Sequence, residues 1–305
     1  MGKPCSNQNC AGDPPFNLMF PRVDTKNASA VAAWVQQQCA SMYGPPSSEW
    51  IGRLFSDVDG LFAGRHPAYG AIDVRYHDLE HTLQATVCLT ELLQGYQHSV
   101  DTPKITRRQF ELGITSVLLH DAGYLKLRSD QSGTGAKYTF CHVLRSCAFA
   151  ASYVPTLGAN DAEVGAILSA INCTGPTKEI SRLHFRDATE RFIGCALATA
   201  DYLGQMSAPD YPDKLGILFT EFAESDNFFH VTGSERLFSS AEDLMARTPT
   251  FWRQIVLPKL QNEFQGTYRY LADPAPDGPN LYLDAVNHNI GIIEQRVAQL
   301  TGTNR

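Results

Sequence analysis

The chain has 305 residues, 43% of them hydrophobic, 19% charged and 10% aromatic, with 17 prolines and 23 glycines. This make-up excludes a disordered, collagenous or coiled-coil chain, and the length allows a core that needs neither disulfides nor a structural metal to stay folded. The net charge of −7, from 25 Lys and Arg against 32 Asp and Glu, includes no basic block, so a long nucleic acid is not an expected partner, whereas one locally positive site for a small phosphorylated molecule is compatible with it.

Residues 1–27 are rich in Pro, Asn and Gly and carry no hydrophobic period, so they read as an irregular N-terminal arm. The arm lacks the apolar centre of a secretory signal, and no apolar run approaches the roughly 20 residues of a membrane helix. The expectation is a cytoplasmic protein without a membrane partner, and no feature specifies an oligomeric state. The eight cysteines fall at 5, 10, 39, 88, 141, 147, 173 and 195, without CxxC pairs. They are expected to be mostly free, buried thiols, with Cys5 and Cys10 in the arm as candidates to pair or to bind something.

Helical period begins after the arm. Val31, Trp34, Val35, Cys39 and Met42 mark a first helix between Asn27 or Ser29 as N-cap and Gly44-Pro45-Pro46 as the stop. Trp50, Ile51, Leu54, Phe55, Val58, Leu61 and Phe62 mark a second, capped by Ser47 or Ser48. Further helices are expected over 77–96, 105–122, 140–154, 161–172, 187–203, 213–224, 250–271 and 281–300. Period-2 alternation is scarce, so the fold class is all-α, with about ten helices. The division expected is the arm 1–27, a metal-binding helical domain 28–210 and a C-terminal helical extension 211–305 packed on it. The large aromatics Tyr202, Phe219, Phe222, Phe228, Phe229, Trp252 and Phe264 suit core packing.

Three segments carry chemistry. Tyr76-His77-Asp78-Leu79-Glu80-His81 sets two imidazoles four residues apart, hence one turn apart on the same helix face. Gly113 to Gly123 runs an apolar helix into His120-Asp121. Neighbours on a helix diverge by about 100°, so a target shared by these two lies beyond the helix end. A carboxylate there meets the negative end of the helix dipole, and a bound cation reverses that penalty. Finally, Asp201 interrupts the small-residue run Ala196, Ala198, Ala200, with no Lys or Arg three or four residues away to pair with it.

The order His81, His120-Asp121, Asp201 resembles the HD-domain superfamily of metal-dependent phosphohydrolases, and the YHxxxH form of its first element is similar to the catalytic domain of cyclic nucleotide phosphodiesterases. The resemblance covers roughly residues 70–205. It implies an all-α, HD-domain-like bundle in which His81, His120, Asp121 and Asp201 hold a first metal, with Asp121 bridging to a second. His77 then protonates the leaving oxygen, and His142 adds a ligand for a dinuclear centre. The chain departs from the phosphodiesterase pattern at Asp78, where those enzymes have Asn, and in Ala122-Gly123-Tyr124-Leu125-Lys126, which replaces an acidic, Pro-containing stretch. It also lacks their purine-clamping glutamine motif, and Ser169-Ala-Ile-Asn172-Cys173-Thr174 stands where some dinuclear relatives supply a histidine.

The function so implied is hydrolysis of a small phosphorylated substrate, a nucleotide by preference, as a phosphodiesterase or a nucleotide phosphomonoesterase. One or two divalent metal ions are expected as cofactors: Fe, Mn, Zn, Co or Ni at the tighter site, and Mg or Mn at the second. A water activated there attacks phosphorus in line while His77 gives a proton to the departing alkoxide. Lys126, Arg128 and Arg145 are the nearest cations in sequence for the phosphate oxygens. The competing readings are a di-iron oxygenase of the same superfamily and a non-catalytic, nucleotide-sensing HD module.

Overall fold

The computed structural model describes residues 21–100, 103–175 and 179–302. Cys5 and Cys10 lie outside them. Among the described residues there are ten α-helices, no named strand and a single isolated bridge between Tyr69 and Leu127, so the chain is all-α. No helix of the described residues is long and apolar enough to cross a membrane. The six described cysteines are free thiols.

Helix α1 (Ala28–Tyr43) is capped by Asn27 and stopped by Gly44, and α2 (Glu49–Phe62) is capped by Ser48. Helix α3 (Leu79–His98) and α7 (Ala188–Met206) share the most extensive helix pairing of the molecule, and the other helices assemble around them. Small side chains let them approach closely. A Cβ built on Gly204 would stand 2.9 Å from the backbone nitrogen of Ala85, so this position tolerates only hydrogen as a side chain. The core is continuous, from Val31 and Val35 of α1 through Leu89 and Leu92 to Ile290 and Ile293 near the C-terminus.

Helix α4 (Arg107–Leu119) begins with a capping box between Thr106 and Gln109, and it ends with His120 at the C-cap. Asp121 then opens a 3₁₀ turn over Ala122–Tyr124. Helices α5 (His142–Tyr153) and α6 (Asp161–Asn172) follow, the latter with the expected bounds. Helix α8 (Tyr211–Phe228) packs on the 3₁₀ turn Gly135–Tyr138, and α10 (Leu281–Gly302) packs on α7, α8 and α9 (Ala241–Phe251).

Three expectations need correction. His77 is not on α3: the Asp78 side chain accepts from the backbone N–H of His81 and takes the N-cap position, so the helix starts at Leu79. The continuous helix over 250–271 is replaced by α9 (Ala241–Phe251), π-helical turns at Trp252–Val256 and Lys259–Glu263, and a 3₁₀ turn at Thr267–Leu271. Pro249 and Pro258 each lack the N–H that regular α-helical bonding needs, and Gln265 and Gly266 turn the chain with positive φ. Phe228 and Phe229, expected in the core, are 46% and 43% exposed.

Candidate metal centre

The helix ends bring the predicted ligands together. His81 Nε2, from the first turn of α3, lies 3.2 Å from Asp121 Oδ2 and 3.3 Å from Asp201 Oδ1. His120 Nε2, at the end of α4, lies 3.3 Å and 3.6 Å from the same two oxygens. His81, His120 and Asp121 form a mutually close, buried group able to hold a metal ion, and Asp201 reaches it from the middle of α7 through the two imidazoles. Ligand atoms about 2.0–2.2 Å from one ion, at tetrahedral or octahedral angles, stand about 2.8–3.6 Å apart. The four contacts fall within that spacing.

None of them is aligned as a hydrogen bond. Both ring nitrogens of His81, Nε2 of His120 and Oδ2 of Asp121 are buried without a hydrogen-bond partner, an arrangement that costs free energy unless something binds those atoms. The chemistry fits a divalent cation: two imidazole nitrogens and two carboxylates. His120 is also oriented for it, because Nδ1 stands 2.6 Å from the Val117 carbonyl, which can only accept, leaving the Nε2 lone pair of the neutral ring toward the aspartates.

Electrostatics agree with the geometry. Burial disfavours a charged imidazole at His81, yet Asp121 and Asp201 outweigh it and raise its pKa to about 10. The same opposition, with the aspartates again prevailing, raises His120. Burial pushes Asp121 and Asp201 up, but the imidazoles beside them hold both well below the usual carboxylate range. Protons shared among these four groups thus occupy the electrostatic role that a cation would take.

Asp121 faces two ways. Its other oxygen, Oδ1, is 3.6 Å from His142 Nε2, and His142 is oriented as His120 is, with Nδ1 2.6 Å from the Thr139 carbonyl. Burial lowers the His142 pKa, which keeps the ring neutral and its lone pair free for a ligand role. Tyr124 stacks on both His77 and His142, with centroids 4.6 Å and 4.7 Å away, filling the space beside Asp121 with a wholly buried ring.

His77 stands at the rim, its ring centroid 5.4 Å from that of His81. Its partner was not legible in the sequence. Glu221, on α8, receives His77 Nδ1 at 2.6 Å on one oxygen, while the other accepts the backbone N–H groups of Arg75 and Tyr76 at 2.9 Å and 2.6 Å. Burial raises the Glu221 pKa, but His77 and these two amides more than offset it and keep the group ionised. The centre therefore draws on both sides of residue 210, the boundary expected between domain and extension. It opens on the side of His77, His142 and Asp201, whose side chains are 14%, 15% and 17% exposed, against 0–3% for His81, His120 and Asp121.

The cations expected to hold phosphate make contacts with the protein itself. Lys126 bonds to the Gly133 carbonyl and pairs with Asp73 at 3.0 Å. Arg128 bonds to the carbonyls of Gly64 and His66. Arg145 donates to the carbonyls of Gly123 and Leu125 at 2.7 Å and 2.8 Å and lies over the Tyr138 ring. These side chains clamp the loop behind His120-Asp121. A Cβ on Gly123 would collide with the His142 carbonyl, so glycine lets this loop lie directly against α5.

Residues 65–272 match the model of the Npun_R2479-like proteins. The chain belongs to this family. The matched span takes in every residue of the centre, from His77 to Glu221, and all the loop anchors just named. No curated protein matches the chain.

Proposed function

We propose that this member of the Npun_R2479-like family is a metal-dependent phosphohydrolase of the HD-domain type, cleaving the phosphate ester of a small molecule such as a nucleotide. The observation that carries the proposal is the buried convergence of His81, His120, Asp121 and Asp201 with unpartnered ligand atoms, beside a rim histidine held by a buried glutamate. A divalent cation bound by these four residues would supply Lewis-acid activation of water and of the phosphoryl oxygen.

The remaining roles belong to the side chains. Glu221 accepts from His77 Nδ1–H, which leaves Nε2 as the nitrogen that gains or releases a proton. His77, oriented by Glu221, donates a proton from Nε2 to the departing oxygen. His142 and Asp121 Oδ1 form a second pair of ligand atoms on the same open side, the place for a second ion. With Lys126 and Arg145 committed to the loop, anion binding falls to the metal and the protonated rim.

The test is a phosphate-release screen over cyclic and linear nucleotides with the chelated protein reloaded in turn with Mn, Zn, Co, Fe and Mg. Metal-dependent release that His77→Ala abolishes without loss of metal supports the proposal. Oxygen consumption by the iron-loaded protein with no phosphate release from any substrate would replace it with the oxygenase reading.

A further inference from the structure

We propose that Tyr76 and Gln205 form a positioning clamp that fixes the metal-facing oxygen of Asp201 and holds it in register with the His77–Glu221 pair. The inference rests on the metal-centre reading above and goes beyond its ligand set. Tyr76 is buried, and its hydroxyl donates to Gln205 Oε1 at 2.6 Å. A phenol that donates there decides which way the glutamine amide faces, because the oxygen must meet the hydroxyl. The amide nitrogen is then directed at Asp201, donating to its backbone carbonyl at 2.8 Å and to Oδ1 at 3.3 Å. Oδ1 is the oxygen that faces His81 and His120.

Gln205 lies one turn after Asp201 on α7, so the clamp is local to the helix. The positions three residues to either side of Asp201 on the helix face are Ala198 and Gly204, which bring no bulk against the carboxylate. Tyr76 also acts through its backbone: its N–H donates at 2.6 Å to Glu221 Oε1, the carboxylate whose other oxygen meets His77. One residue thereby ties the ligand Asp201, by its side chain, to the proton-carrying pair, by its main chain. Neither Tyr76 nor Gln205 touches the position of the ion, so both are positioning residues. Partners of this kind, one bond removed from the ion, typically change metal affinity by about 10–100-fold when removed.

Cobalt(II) binding to the chelated full-length protein, followed by visible absorption and calorimetry, tests the clamp without reference to turnover. Tyr76→Phe keeps the ring in the core and loses only the hydroxyl; Gln205→Met keeps the length of the side chain and loses both polar ends. Each is expected to weaken cobalt binding by about 10-fold or more and to alter the d–d band intensity, while far-UV circular dichroism stays as in the wild type. Because Tyr76 acts through Gln205, the double variant binds no more weakly than Gln205→Met alone. Asp201→Ala separates this inference from the reading beneath it. If that variant binds cobalt as the wild type does, the metal centre itself fails. If it loses cobalt while Tyr76→Phe and Gln205→Met bind normally, or if the two losses multiply in the double variant, the clamp alone is overturned. Should Tyr76→Phe fail to fold, Gln205→Met, at a half-buried site, decides by itself.

Discussion

Removing metal from the centre should leave a protein whose stability falls with rising pH near neutrality, and His81 sets the sign. Its pKa rises from 6.5 unfolded to about 10 folded because Asp121 and Asp201 outweigh the cost of burial. The stabilisation this provides is fully present below 6.5 and is lost as pH climbs toward 10, since in that interval the folded state holds a proton the unfolded state has released. One such proton corresponds to a loss of about 1.4 kcal/mol per pH unit. Glu91, raised to about 7 by burial, and the buried thiols, which the unfolded chain ionises more readily than the folded one, lower stability in the same direction as pH rises, so the difference between the wild type and His81→Gln over pH 7 to 8.5 reads the centre. Over that interval the chelated protein should lose about 2 kcal/mol, and more to the extent that His120, also raised, contributes. A bound divalent ion displaces the proton, so the same series with metal should lose the His81 contribution, and metal affinity should rise about tenfold per pH unit for each proton displaced. Urea denaturation at four pH values, with chelator and with metal, reads the effect, and His81→Gln provides the control. A chelated protein whose stability is level or increasing across this interval would refute the reasoning.

Other expected outcomes test the remaining parts. His77→Ala and Glu221→Gln should retain metal and lose turnover, most on substrates with poor leaving groups; loss of metal in either would make the His77 pair part of the ligand set. Lys126→Met should cost no more than about 1 kcal/mol with KM unchanged, and a large rise in KM at unaltered stability would restore the role in holding phosphate. Gly204→Val should destabilise by about 1–3 kcal/mol or more in thermal and denaturant unfolding, because the side chain must push α3 away from α7; a neutral result would show that the two helices are not in close contact.

Much of the centre was legible because its chemistry is written in local spacing. His120-Asp121 at the end of an apolar helix demanded a target beyond that end, and the 3₁₀ turn at Ala122–Tyr124 turns Asp121 toward it. Asp201 among alanines lacked a local partner, and its imidazole neighbours come from α3 and α4. Glu221 could not be found this way: a single carboxylate on an amphipathic helix looks like any solvated position until α8 packs 144 residues away from His77 in sequence. The partners of the basic residues were hidden for a related reason. Sequence proximity placed Lys126 and Arg145 near the ligands, but the loop's backbone carbonyls need donors, and these side chains satisfy them. Helix α9 escaped because Pro249 lies inside it, where a sequence reading expects a helix to end.

Elemental analysis of the purified wild type beside Asp121→Ala tests the central claim most directly. A transition-metal ion present in stoichiometric amount in the wild type and absent from a folded Asp121→Ala variant is the predicted result. Equal metal content in the two proteins, or a wild type that takes up no divalent ion after chelation and reloading, would contradict it.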